Sequence, residues 1–164
     1  MMSVDRYPAP IRLNRGIRWV IWESDDESGD QVMSEGPRAV SFGSADELRT
    51  YGIEHELHLV EDESSLHDFD KVQTWLDHGG EPDPSELLTA WNFAGDLARV
   101  VGAEFSDRSE VRDALYDKLF WACNLPAVTP PGERFEPEWS DSEIEELHKL
   151  MGEALAVVAD ALGP

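Results

Sequence analysis

His55-Glu56-Leu57-His58 and His67-Asp68-Phe69-Asp70 place three of the chain's five histidines beside carboxylates, a mixture that could hold a transition metal. Imidazole and carboxylate are both zinc ligands, but the helical zinc-protease motif needs two histidines four apart with a glutamate next to the first. His55 and His58 are three apart and lead into a segment that reads as strand, so both groups are read as surface histidines among acids. Counting from Ser24 gives a partial calcium loop, with Asp26 at the third place, Ser28 at the fifth, Gly29 at the sixth and Glu35 at the twelfth. The first place lacks an acid and the flanks are predicted strands, where a calcium hand needs helices. A solvated hairpin loop is expected instead.

Nucleophilic chemistry finds little support. No Gly-x-Ser-x-Gly elbow occurs, and the single cysteine, Cys123, follows Phe120-Trp121-Ala122, a setting that suits the core. One cysteine also rules out an internal disulfide and any two-cysteine metal motif. Gly79-Gly80 runs into Glu81, Pro82 and Asp83, acids where a phosphate would need donors. No catalytic residue, cofactor or metal is assigned. The remaining polar group of interest is Asn92, Asp96 and Arg99, spaced four and three apart in the most apolar helical segment. Facing inward they would form a costly buried site; facing outward they form a structural Asp–Arg pair, the favoured reading.

Charge is the stronger signal. Thirty-five Asp and Glu stand against 13 Lys and Arg, a formal net charge of −22 on 164 residues. This is roughly 3 to 4 times what solubility calls for in a domain of this size. Such a surface repels nucleic acid and anionic membranes and steers basic partners inward. The acids fall in runs with few opposing bases: Asp25, Asp26, Glu27, Asp30 and Glu35 in one, and Glu133 to Glu146 in another. In the second run Glu136 and Glu138 flank Trp139, which would supply an exposed hydrophobic anchor beside an acidic rim. These eight residues, Asp25, Asp26, Glu27, Asp30, Glu35, Glu136, Glu138 and Trp139, are the candidate contacts with a basic protein partner. Direct nucleic-acid and membrane binding are not expected, and a cytoplasmic location is.

The elements that must position these groups are of two kinds. Residues 1–16, with Pro8 and Pro10, read as an irregular arm, and 17–164 as one α+β domain. Ile17 to Glu23 and Arg38 to Phe42 are Trp/Val/Ile-rich or alternating and suit strands, with the acidic stretch Ser24–Pro37 between them as a loop. Ser44 with Glu47 starts a helix over Ala45–Glu54, and Leu57–Val60 suits a third strand. A small, mainly antiparallel sheet with one helix results. From Asp68 onward the apolar period changes to about 3.6 and predicts about four helices. They cover Asp68–Asp77; Pro84–Val101, capped by Asp83; a segment opened by Asp107 and Glu110 and ending at Cys123; and a last helix behind the capping box Ser140/Glu143. Ala127 to Trp139, with three prolines, is an extended surface connection.

In size, acidity and lack of a catalytic signature the chain resembles the small cytoplasmic immunity proteins of bacterial toxin systems. That resemblance implies a non-catalytic inhibitor of a basic partner such as a nuclease toxin, and assigns no residue a role. The alternative is a regulatory or housekeeping domain whose charge reflects a salty or GC-rich background, with an enzyme third.

Overall fold

The computed structural model describes residues 4–25, 29–61, 65–106 and 108–163. They form an α+β structure: a mainly antiparallel sheet in the N-terminal part, then helices. The strands are β1 (Val4–Leu13), β2 (Gly16–Asp25), β3 (Gly29–Val32), β4 (Ser34–Glu35), β5 (Arg38–Ala39), β6 (Ser41–Phe42) and β7 (His67–Asp68). The helices are α1 (Ala45–Glu54), α2 (Phe69–His78), α3 (Pro84–Val101), α4 (Glu110–Ala122) and α5 (Asp141–Leu162).

The expected N-terminal arm is instead a ten-residue strand lying between β2 and β7, paired with β2 from Val4↔Asp25 to Leu13↔Gly16. Pro8 and Pro10 do not interrupt it, and the register explains why. Val60 N–H donates to the Arg6 carbonyl (2.9 Å), so the peptide groups of Arg6 point away from β2. Those of Pro8 and Pro10, two and four residues on, point the same way, and their missing N–H groups cost the β1–β2 ladder nothing. The two strands are joined through Asn14 and Arg15, both at positive φ (50° and 66°), as a two-residue hairpin turn requires.

Two further segments differ from expectation. The described residues of the acidic stretch Ser24–Pro37 are mostly strand: β2 continues to Asp25 and β3 returns along it, Trp22↔Val32 to Asp25↔Gly29. After Met33 the chain leaves β2 for the short β4–β5 hairpin, then rejoins as β6 opposite Val20 and Trp19. The segment expected as strand at Leu57–Val60 makes only an isolated parallel bridge, Arg6↔Leu59, and β7 takes the edge position beside β1 at Ile11 and Arg12.

One apolar core joins sheet and helices. Ala9, Ile11, Val20 and Val32 pack with Phe93, Leu97, Leu150 and Val158 from α3 and α5, while Ile21 on the opposite sheet face is covered on the side of Leu48 in α1. Eight residues of α3 are buried, and this helix packs against β3, α4 and α5, which fits its broad apolar circumference. Local signals place the helices well. Ser44, Asp83 and Ser140 each accept a hydrogen bond from the backbone N–H three residues on, and Ser140 and Glu143 complete a reciprocal capping box. Helix α4 is capped by Ser109, and Asp107 lies outside the described residues. The last turn of α5 carries no basic residue, and two arginines serve it, one from β2 and one from β5 of the separate β4–β5 hairpin: Arg18 donates to the Leu162 carbonyl and Arg38 to that of Asp160.

Candidate functional site

The histidines do not converge. His55 and His58 are exposed, His55 stacks on Tyr51 with centroids 3.9 Å apart, and His148 packs on Trp75 at 4.3 Å. His67 departs from the surface expectation: β7 carries it into the core, 5% exposed, between Trp22 (5.2 Å) and Phe93 (5.0 Å). Neither ring nitrogen has a hydrogen-bond partner, and burial lowers its pKa to about 4. Among the described residues no group of three or more His, Cys, Asp or Glu could hold a metal ion. In the partial calcium loop, Asp26 and Ser28 lie outside the described residues, and Glu35 sits on β4 facing Arg38. Cys123 caps α4 against the core, where burial, with the Asp83 charge second, pushes its thiol pKa up.

The polar stripe of α3 faces outward. Asn92 is exposed and accepts from the Tyr116 hydroxyl (2.9 Å), and Asp96 accepts from Arg99 (3.3 Å). Arg99 also donates to the Asp30 carbonyl, fastening β3 to the C-terminal end of α3. The stripe is therefore a structural tie.

The two acidic runs occupy different places. In the first, Asp30 and Glu35 are exposed on β3 and β4, Asp25 is half-buried at the hairpin end, and Asp26 and Glu27 lie outside the described residues. In the second, Glu136 and Glu138 are exposed on the α4–α5 connection, which runs past Pro84 at the N-terminal end of α3. Arg99 and Pro84 are fifteen residues apart, about 22 Å of helix at 1.5 Å per residue, so the runs form two separate faces.

Trp139 is not the exposed anchor expected of it. It is half-buried against the core beneath Lys118, whose Nζ sits 4.7 Å from the ring centroid while donating to the Glu138 carbonyl (2.6 Å) and the Glu143 carboxylate (3.0 Å). The Ser140 backbone N–H, with Lys118 in support, holds the Glu143 carboxyl below its usual range. The exposed tryptophan is Trp121, at 49%, and with Val128 (44%) and Phe135 (45%) it lines an open groove of about 560 Å³. Its rim carries Glu133 and Arg134, and Arg134 itself bonds to Glu136 (3.3 Å). The helical period held the signal: Leu115, Leu119 and Ala122 are the buried face of α4, and Trp121 falls with Asp117, four residues earlier, on the outer face.

The connection that carries Phe135 is fixed by polar ties. The Asn124 amide donates to the Phe135 carbonyl (3.0 Å) and accepts from the Phe135 N–H (2.7 Å), imitating a strand pair. Asn124 has φ of 49°, a conformation Asn tolerates better than most residues, and Pro130-Pro131-Gly132-Glu133 closes a turn with Gly132 at φ of 82°. Replacing Asn124 by glycine keeps the backbone conformation and removes both side-chain ties. Asn124→Gly is expected to cost about 1 kcal/mol in urea unfolding and to expose 125–139 to limited proteolysis. Unchanged cleavage would mean the ties do not order the loop.

A further polar group went unread in the sequence. Arg112, with a side chain 7% exposed, projects from α4 to Glu146 (2.8 Å) and Glu153 (2.7 Å) on α5 and to the Ser106 carbonyl. Burial alone would lower its pKa, but the hydrogen bonds and charges of Glu153 and Glu146 outweigh that and raise it. Comparison with protein-family models, curated proteins and solved structures finds no match for this chain. No helix among the described residues is long and apolar enough to cross a membrane.

Proposed function

We propose that this chain is an acidic, non-catalytic binding protein that engages a basic protein partner, as an immunity or inhibitor protein does when it neutralises a nuclease toxin. The observation that carries the proposal is the exposed α4–α5 connection. Glu133, Glu136 and Glu138 stand in solvent there, and the one basic residue among them, Arg134, is spent on Glu136. Elsewhere the bases are similarly engaged: Arg6 with Glu23 at 2.9 Å, Arg12 with Asp68 at 3.0 Å, and Lys118 with Glu143. Pairing leaves the excess of acids to set the potential of the surface. Carboxylates so placed speed encounter with a basic surface and compete with phosphates for the same Lys and Arg side chains.

Immobilised protein should retain basic proteins from the lysate of its own cells at about 50 mM salt, more strongly than an acidic control of matched charge, and release them by about 500 mM. A retained protein that binds nucleic acid should lose that binding when this chain is added. Retention no better than the control, or retention indifferent to salt, would overturn the proposal.

A further inference from the structure

We infer that the groove between the end of α4 and the 124–139 connection is the docking site for a basic protein segment carrying an aromatic or branched aliphatic side chain flanked by Lys or Arg. This rests on the proposed binding of a basic partner and adds where and through what chemistry it is held.

Three observations support it. Trp121, Val128 and Phe135 present their apolar surface together, each more than two-fifths exposed, around one concavity. Contiguous exposed apolar surface of this kind carries a cost in water that a partner relieves. The surface is also built. Asn124 fixes Phe135 from one side, and Lys118 fixes Glu138 and Trp139 from the other, so little ordering remains to be done on binding. Finally, the rim selects the occupant. Glu133 and Arg134 line the rim, Arg134 is turned onto Glu136 just outside it, and Glu138 follows in solvent on the same connection, so acids outnumber the base beside the apolar floor and a segment with cations flanking an apolar residue matches both parts. A second copy of the chain would bring the same acids face to face, with −22 on each molecule.

The probes are short fluorescent peptides of alternating lysine and leucine, lysine and serine, or glutamate and leucine, titrated by anisotropy at about 50 mM salt. The lysine/leucine peptide is expected to bind tightest, and Trp121→Ser and Phe135→Ser should each weaken it by roughly 30-fold. Both side chains are half-exposed, and circular dichroism with urea unfolding verifies that the variants fold. The double variant Glu133→Gln/Glu136→Gln, which leaves the apolar floor intact, should weaken the same peptide and reduce its salt dependence.

Equal binding of the lysine/leucine and lysine/serine peptides, unmoved by Trp121→Ser and Phe135→Ser, would overturn the groove and leave the basic partner standing. No binding of either lysine peptide would overturn the basic partner itself. Equally tight glutamate/leucine binding would show an apolar groove indifferent to charge, against both. A concentration-dependent dimer in sedimentation, abolished by Trp121→Ser, would make a second copy the occupant and also overturn the inference.

Discussion

Replacing His67 with phenylalanine is expected to remove about 3 kcal/mol of pH dependence from the stability of this protein between pH 6.5 and about 4. The sign follows from where the proton goes. In the unfolded chain the imidazole titrates near 6.5, whereas among the rings of Trp22 and Phe93 it stays neutral down to about 4. Between these values the unfolded state binds a proton that the folded state refuses, so falling pH favours unfolding. Below about 4 both states are protonated and this group adds no further loss. Glu143, whose carboxyl is held below its usual range, also loses stability as pH falls, so the raw profile mixes the two. The difference between His67→Phe and the unsubstituted chain, measured by urea unfolding at matched pH, isolates the histidine. Phenylalanine keeps the ring packing without two unpartnered nitrogens, so stability at pH 7 should hold or rise. Parallel profiles for the two proteins would contradict the buried, neutral imidazole.

Arg112→Met is expected to lower stability by about 2 to 3 kcal/mol. The methionine fills much of the volume, but the Ser106 carbonyl loses its donor, and Glu146 and Glu153 lose the cation that holds them near one another. Those carboxylates are 28% and 46% exposed and recover part of their hydration, which keeps the effect below that of a fully buried pair. Arg112→Lys should rescue little, because a single ammonium cannot serve three acceptors with the geometry of a guanidinium fork. Raising salt should restore only a small part of the loss. An unfolding midpoint for Arg112→Met equal to that of the unsubstituted chain would mean that α4 is held on α5 by apolar contacts alone.

What could be read from the sequence was what neighbouring residues decide. Ser44, Asp83 and Ser140 announce helices because a cap and its target N–H lie three residues apart, and the structure starts α1, α3 and α5 just after them. The α+β class followed from the change of apolar period, and the mainly antiparallel sheet from the order of the early elements. The first strand was hidden because Pro8 and Pro10 are local breakers, and only the long-range register places their nitrogens away from β2. His67 and Arg112 were missed for a related reason. A histidine among acids looks exposed until β7 is set beside β1 and under α3, and an arginine in an acidic helix looks like ordinary surface until α5 supplies two glutamates. At the candidate surface the acids were legible from composition, whereas the choice between Trp139 and Trp121 depended on Lys118 covering the first and on Asn124 holding Phe135 beside the second.

Under the proposed function the surface charge works on a partner and does more than keep the chain in solution. Stopped-flow association of the lysine/leucine peptide tests it most directly, because steering acts on the rate of encounter while the apolar groove acts on the lifetime of the complex. The association rate should fall about tenfold or more between about 50 and about 500 mM salt, with Trp121→Ser leaving that rate nearly unchanged and speeding dissociation. An association rate independent of salt would contradict it.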